Sequence, residues 1–236
     1  MDMMSNNYDA FGNILSTPEI EVIPTRRAEV VDVSNVSDVN QIRSPLAETL
    51  MTKHLNRSGM EGLDSTRARN ILYDFALKVA KAESSGDPKV KNRPLEGKEA
   101  SSATGLYQFL VGNADEGEDN SSLQVAVNRA KKRIDAPWLD EVFKTGKVED
   151  LTPDQQTVLF LGDILEKTKY DSKGKPIKRY GDKLFKQLLD PNASEKEQKK
   201  AMYKIYLNLH HTKKEGEAWD QKILDNANRE ILGIKN

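Results

Sequence analysis

The chain has 236 residues, of which 37% are hydrophobic and 31% charged, and its formal net charge is −1. That length allows one substantial domain, alone or with an appended segment. The absence of cysteine excludes disulfides, thiolate metal sites and cysteine nucleophiles. No apolar run reaches the ~18 residues of a transmembrane helix, and the N-terminus lacks the basic and apolar regions of a signal peptide.

Residues 1–62 differ in composition from the rest of the chain. Prolines stand at positions 18, 24 and 45, and residues 1–66 carry ten acidic against five basic side chains, a net charge of −5. A polar, acidic segment of this kind buries too little apolar surface to fold alone. We therefore predict an extended, largely irregular segment over residues 1–62 that docks on another protein, and a folded domain over residues 63–236.

From Asp64 onward, apolar residues recur at helical spacing. The pattern predicts six helices, over residues 64–83, 121–134, 151–168, 182–189, 194–211 and 217–233, with a long irregular loop at 84–104. Thr152 before Pro153, and Ser194 three residues before Glu197, are typical helix-start signals. The sequence thus predicts a mainly α domain.

Basic residues are concentrated near the C-terminal end. Between Lys167 and Lys214 there are 14 lysines and arginines against five acidic residues. Solvated helix faces explain this, and attraction to a polyanion, such as an anionic wall polymer or nucleic acid, is the alternative. Because few aromatic residues interleave the lysines and no nucleic-acid-binding motif is present, we expect no specific nucleic-acid partner.

One carboxylate falls on the apolar face of the first predicted helix. With Leu72 at 0°, the ~100° turn per residue places Ala76 at ~40°, Val79 at ~−20° and Glu83 at ~20°. Burial on that face disfavours the charged form and predicts a raised pKa, which suits a general acid. The helix break at Gly86 then favours a position at the rim of a cleft. The alternative is a solvated glutamate at a frayed helix end.

A second string, "ATGLYQF" at 103–109, combines a glycine with an aromatic residue and an amide. Gly105 permits a positive φ or a close approach by a ligand. Tyr107 offers a stacking surface and Gln108 an amide, a pair that suits an N-acetyl sugar. The alternative is a turn that leads into a buried strand or helix.

Together, Glu83-Ser84 with Pro88 and "GLYQ" at 105–108 resemble the motifs of the lytic transglycosylases of the soluble (SLT) type, a lysozyme-like superfamily. Tyrosine stands where the family usually has methionine, as in bacteriophage virion members. The third family motif, A-Y-N-A-G, is matched loosely by "IYLNLHH" at 205–211. The resemblance spans about residues 66–232.

The resemblance implies a lysozyme-like (goose-type/SLT) helical fold and a peptidoglycan-cleaving activity with one catalytic residue, Glu83. The substrate-binding residues that it implies are Ser84, Gly105, Leu106, Tyr107, Gln108, Tyr206, Asn208 and His210. It implies cleavage of the MurNAc-β-1,4-GlcNAc bond with 1,6-anhydroMurNAc formation, without metal or other cofactor. The acidic residues considered as a second carboxylate all lie in polar stretches: Asp87, Glu96, Glu99, Asp115, Glu116 and Asp119.

Two adjacent histidines raise the question of a metal site. On one regular helix, His210 and His211 would point ~100° apart and could not face one ion without distortion. We therefore expect no zinc site here.

The absence of a signal peptide, the acidic N-terminal segment and the tyrosine in "GLYQ" favour a phage virion or tail protein that opens the host cell wall, in the periplasm, during genome entry. Peptidoglycan is then the substrate, and other virion proteins are the partners of residues 1–62. Two alternatives are a structural tail component with an inactive wall-binding domain and a hydrolytic goose-type lysozyme. Whether the protein is a homo-oligomer in the particle stays open.

Overall fold

The computed structural model describes residues 35–60, 62–91, 103–111, 122–167, 180–211 and 218–234, all within one compact unit, Val33–Asn236. These residues form a mainly helical body. In chain order its helices are α1 (Pro45–Arg57), α2 (Ser65–Ser84), α3 (Ser122–Lys131), α4 (Pro137–Thr145), α5 (Pro153–Glu166), α6 (Tyr180–Leu189), α7 (Glu195–Ile205) and α8 (Gln221–Asn226). Within the described ranges, every helix is too short or too polar to cross a bilayer.

Shorter elements complete the fold. Strands β1 (Ala103–Thr104) and β2 (Phe109–Leu110) form an antiparallel hairpin, in which Thr104 pairs with Phe109. Two helices continue as π-helical turns, α7 through Tyr206–His210 and α8 through Ala227–Leu232. Single 3-10 turns stand at Val39–Gln41 and Val148–Asp150.

The mainly α character predicted from the sequence is confirmed, since a helix forms within or across each of the six predicted segments. Helix α4 was missed, although Pro137 at its start and Gly146, with φ 66°, just past its end are ordinary helix boundaries. The alternative kept open for residues 103–109, a turn that leads into a buried strand, matches the turn before β2. Strand β1, at the end of the loop predicted over 84–104, was missed because two residues carry no periodic signal.

The extended segment predicted over residues 1–62 is wrong for residues 35–60. Ser44 caps α1 by accepting a hydrogen bond from Ala47 N at 3.1 Å, and Pro45 occupies the first turn. The inner face of α1, with Leu50 and Met51, is fully buried in the core. The acidic average over the N-terminal stretch concealed this amphipathic helix. Residues 1–34 lie outside the described residues.

Helix α5 forms the centre of the core, with eleven of its fourteen residues buried. Helix α3 packs closely on it, because Gly162 leaves room: a Cβ there would lie 3.0 Å from Ala130 Cβ. Further towards the N-terminus of α5, the ring of Phe160 stacks on that of Tyr107 at 4.3 Å between centroids. Helix α5 thus fixes the hairpin turn that Tyr107 belongs to.

The end of α2 is fixed by a contact with the residues before α1. Ser85 and Gly86 have φ values of 56° and 83°, in the left-handed region that ends the helix. Val36 N donates to Gly86 O at 2.7 Å. A Cβ on Gly86 would lie 2.4 Å from Val36 O, so this position requires glycine. This contact fixes the C-terminal turn of α2, which carries Glu83.

Candidate functional site

A groove of about 420 Å³ lies where the C-terminal end of α2 meets the hairpin, α5, the π-helical turn after α7, and α8. Several of its lining side chains are polar or charged. These include Glu83, Gln108, Asp163, Lys167, Tyr206, His210, His211, Lys222 and Asn226. The groove therefore combines several chemically active groups in one concave surface, as expected of a binding site.

Glu83 lies in this groove with a side chain that is only 10% exposed. Tyr206 donates its hydroxyl to Glu83 Oε1 at 2.5 Å, and His211 Nε2 hydrogen-bonds to the same oxygen at 2.6 Å. His210 Nε2 lies 3.6 Å from that oxygen. Three side chains from the end of α7 thus converge on one carboxylate oxygen of α2.

The second carboxylate oxygen of Glu83 is different. Among the described residues, no side chain or backbone group hydrogen-bonds to Oε2. Glu83 is therefore anchored through Oε1 and keeps Oε2 available to a ligand in the groove.

The π-helical turn explains how two adjacent histidines reach the same oxygen. His211 N donates to Tyr206 O at 2.9 Å, five residues back, which widens the last turn of the helix. His211 itself has φ −96° and ψ 123°, so it has left the helix and its side chain is free of the helical spacing. His210 and His211 therefore both approach Glu83 Oε1, and the prediction that they point too far apart to share a ligand is wrong, because the helix is not regular here.

The electrostatics of Glu83 also differ from the sequence prediction. Burial pushes the pKa of Glu83 upward, but hydrogen bonds and charge interactions with His210 and His211 outweigh burial and hold the pKa well below its ordinary value. The raised pKa predicted from helix periodicity is wrong for the free groove. Glu83 is a carboxylate there, stabilised by its partners.

The surroundings of Glu83 also shift the pKa values of His210 and Tyr206. Burial lowers the pKa of His210, although the neighbouring carboxylate opposes this effect. Burial and then the charge of Glu83 raise the pKa of Tyr206, so its hydroxyl remains a donor. The free groove therefore contains the Glu83 carboxylate and the Tyr206 hydroxyl that donates to it.

Helix α8 closes the groove next to Glu83. Asn226 Nδ2 donates to Ala82 O at 2.7 Å and so ties α8 to the last turn of α2. Asn226 Oδ1 accepts from Arg229 at 3.0 Å, which holds the amide in this orientation. Asn226 and Lys222, on the face of α8 towards the groove, were not predicted.

The hairpin turn is held by a buried glutamine of α5. Gln156 is fully buried, and its Oε1 accepts from Leu106 N at 2.8 Å. Gly105, with φ 79°, packs so closely that a Cβ would lie 2.5 Å from the same oxygen. Gly105 and Leu106 were predicted to bind substrate, but they face Gln156 and the core and are not among the described residues that line the groove.

Tyr107 and Gln108 reach the groove in different ways. Tyr107 is 1% exposed and its hydroxyl lies 2.7 Å from Thr157 Oγ1, so it is part of the floor and not the open stacking surface predicted. Gln108 is partly exposed, has φ 49° and donates its Nε2 to Gly105 O at 2.9 Å. A non-glycine residue in that backbone region is strained, which is frequent at functional sites.

Two further predicted residues are absent from the described lining of the groove. Ser84 donates its hydroxyl to Ala80 O at 2.8 Å and accepts from Gly86 N, so it serves the end of α2. Asn208 donates its side-chain amide to Lys204 O at 2.9 Å. Of the residues predicted to bind substrate, the structure brings Tyr107, Gln108, Tyr206 and His210 to Glu83's groove.

A second carboxylate, Asp163, also lines the groove and was overlooked. It forms ion pairs with Arg129 and, at 3.3 Å, with Lys167. The signal was present in the sequence: Asp163 interrupts the apolar run "VLFLGDIL", as Glu83 interrupts its own stripe. Of the acidic residues considered earlier, Glu96, Glu99, Asp115, Glu116 and Asp119 lie outside the described residues.

Comparisons with known proteins leave this geometry as the basis for a functional assignment. No protein-family model matches the chain, and neither curated proteins nor solved structures provide a match.

Proposed function

We propose that this protein is a peptidoglycan lytic transglycosylase of lysozyme-like fold with Glu83 as its single acid/base. The observation that carries the proposal is the placement of Glu83 in the groove, with Oε1 held by Tyr206 and His211 and Oε2 left available. Gln108, from the motif that the resemblance assigns to sugar binding, lines the same groove.

In the proposed reaction, Glu83 protonates the oxygen of the MurNAc-β-1,4-GlcNAc bond. The acetamido oxygen of MurNAc attacks C1 as this bond breaks, and the GlcNAc chain leaves as an alcohol. Glu83 then accepts the proton of the C6 hydroxyl, whose oxygen attacks C1, displaces the acetamido oxygen and closes the 1,6-anhydro ring. No water is consumed, and Glu83 ends the cycle protonated.

The acid form of Glu83 has to arise when the sugar binds, because the free groove holds the carboxylate. A glycan that fills the groove displaces water from around the 10% exposed side chain. Loss of water disfavours the charged form and raises the pKa of a carboxyl group. Tyr206 and His211, by holding Oε1, orient Oε2 towards the bound glycan.

Mass analysis of digested peptidoglycan tests the proposal. Wild-type protein should release muropeptides with anhydro ends, one water lighter than the products of hydrolysis. Glu83→Gln should slow this release about 100- to 10,000-fold, the range for loss of a general acid. The matched control is Asp87→Asn, because Asp87 caps Lys89 N outside the described lining of the groove and its loss should leave the rate near wild type. An undiminished rate for Glu83→Gln would refute the assignment.

A hydrolytic goose-type lysozyme is the second candidate, and Asp163 is the observation that favours it. Hydrolysis can use a second carboxylate to activate water. Asp163 is paired with Arg129 and Lys167, which favours a structural role. Reducing-end products that disappear with a folded Asp163→Asn variant would support the lysozyme, whereas anhydro products that persist would support the transglycosylase.

We also propose that the protein is carried in a phage particle, with the segment before the folded body as its dock. Because α1 belongs to the core, that docking role narrows to residues 1–34. A chain that lacks 1–34 should digest peptidoglycan but fail to copurify with particles. A chain that lacks 1–60 should lose its fold along with α1. Copurification of the 1–34 deletion with particles would refute the docking role.

A further inference from the structure

We propose that Glu83, His210 and His211 form a binding site for one divalent transition-metal ion of the zinc class, and that the bound ion prevents Glu83 from acid/base work. The first half stands on the geometry of the three side chains alone. The second half rests on the proposed function.

The three residues already have nearly the spacing of a metal site. One ligand atom from each lies within 4.8 Å of the others. Two ligands of a tetrahedral zinc ion, each at 2.0–2.1 Å from the metal, are separated by roughly 3.3 Å. His210 Nε2 is 3.6 Å from Glu83 Oε1, close to that separation. The separations run from 2.6 Å, between Glu83 and His211, to as much as 4.8 Å, on either side of the zinc spacing, so the side chains have to rotate to surround one ion.

The contact between His211 and Glu83 is shorter than the separation of two zinc ligands. His211 Nε2 lies 2.6 Å from Glu83 Oε1, a hydrogen-bond distance at which a proton lies between the two atoms. A metal ion in that proton's place would widen the contact by roughly 0.7 Å.

Packing holds the two imidazoles in place before any ion arrives. The His210 ring lies edge-on to Phe160, with centroids 5.6 Å apart, and near-parallel to Tyr206 at 5.7 Å. The His211 ring lies edge-on to Tyr206 at 4.6 Å. Side chains that are already fixed lose little conformational entropy on binding, which favours affinity.

The ligand chemistry selects the class of ion. Two imidazole nitrogens and one carboxylate oxygen suit zinc, copper or nickel, whereas magnesium and calcium prefer sites built from oxygen. Three protein ligands leave the fourth tetrahedral position for water in the groove. The ion would hold Oε1 and place a positive charge beside Glu83, so that the carboxyl group could not carry a proton.

Titration calorimetry of the full chain with zinc chloride tests the site. We expect one ion per chain for the wild type and at least about tenfold weaker binding for each of Glu83→Gln, His210→Asn and His211→Asn. His54→Gln is the matched control, since His54 lies in the core outside the described lining of the groove and its loss should leave the affinity unchanged. Magnesium chloride should give no binding heat. Circular dichroism checks that each variant is folded.

X-ray absorption of the zinc-loaded wild type tests the site without any variant. Two imidazoles at 2.0–2.1 Å are expected, and a spectrum without imidazole would overturn the proposal. Unchanged affinity in folded His210→Asn and His211→Asn would overturn it as well.

Activity separates this proposal from the proposed function. Zinc should stop wall digestion by the wild type, and a chelator should restore it. Digestion that continues with zinc bound overturns the blocking role. A metal-free protein that binds zinc but never digests peptidoglycan keeps the metal site and refutes the transglycosylase. A protein that digests peptidoglycan but binds no zinc keeps the transglycosylase assignment and refutes the metal site.

Discussion

Gln156, which is fully buried, and Glu83, which is partly buried, are two polar side chains with different hydrogen-bonding environments. Gln156 gives its oxygen to Leu106 N, and its nitrogen lies within 3.2 Å of three backbone carbonyl oxygens. Glu83 has three partners around Oε1 and none, within the described part of the chain, at Oε2. A polar group whose hydrogen-bonding capacity is fully used stabilises the structure. A carboxylate with an unpaired oxygen in a groove can act on a ligand.

The largest predicted loss of stability in this comparison comes from Gln156→Leu. Leu106 N, Pro88 O and Leu151 O would lose their partner, whereas Val148 O keeps a bond from Leu151 N at 3.0 Å. Each unsatisfied buried group costs about 1–3 kcal/mol. The backbone carbonyls share a single side-chain amide, so their costs do not add in full. We therefore expect the free energy of unfolding to fall by about 3–5 kcal/mol in a denaturant titration. Gln155→Leu is the control: it loses only the bond from Thr152 N that caps α5, about 1 kcal/mol. Equal losses of unfolding free energy for the two variants would show that Gln156 stabilises the fold no more than Gln155 does.

His54 sharpens the comparison as a buried polar group with an unused atom but no place in the described groove lining. It is 1% exposed, and its Nδ1 has no hydrogen-bond partner among the described residues. Burial lowers the pKa of His54 to about 4; Asp182 and Glu166 oppose the shift, and Arg57 and Arg133 add to it. Because the pKa of His54 is lower in the folded protein than in the unfolded chain, the free energy of unfolding should depend on pH.

The pH dependence has a definite sign. The unfolded chain binds a proton at His54 near its ordinary pKa of 6.5, whereas the folded chain resists until about pH 4. Acid therefore favours the unfolded state, and the wild type should lose about 3 kcal/mol of stability as the pH falls from 6.5 to 4. His54→Gln should remove most of this slope in denaturant titrations at several pH values. An unchanged slope would show that His54 is not its source.

The smallest predicted effect concerns the positioning of Glu83. Tyr206→Phe removes one donor to Oε1, and a hydrogen bond to a charged group is worth about 1.5–3 kcal/mol. We expect kcat for wall digestion to fall about 10- to 100-fold, with KM near wild type because the groove keeps its shape. Tyr203→Phe, on the same helix but absent from the described groove lining, should change neither. A rise in KM alone would make Tyr206 a substrate contact instead of a positioning residue.

The sequence predicted what depends on local spacing. Leu72, Ala76 and Val79 are fully buried as their helical spacing indicated, and Glu83 follows them into a partly buried position. The motif at 205–211 pointed to Tyr206, which does lie beside Glu83. Neighbours three and four residues apart on one helix share a face whatever the rest of the chain does, so periodicity suffices for such predictions.

The rest depends on contacts between distant parts of the chain. His211 is 128 residues from Glu83 and reaches it only because a π-helical turn breaks the regular spacing. The same contact reverses the predicted pKa shift of Glu83, since periodicity reports burial but not partners. Gly105 illustrates a different limit: a Cβ there would lie 2.5 Å from the side-chain oxygen of Gln156, which is distant in the sequence, so packing alone requires the glycine.

The spare oxygen of Glu83 is the central claim, and the paired stability and digestion rate of Glu83→Gln test it most directly. Glutamine keeps the size of the side chain and an oxygen for Tyr206, so the variant should melt cooperatively as a folded protein. Its release of anhydro-ended muropeptides should nevertheless be about 100- to 10,000-fold slower than that of the wild type. A folded Glu83→Gln protein that digests peptidoglycan at the wild-type rate would contradict the account.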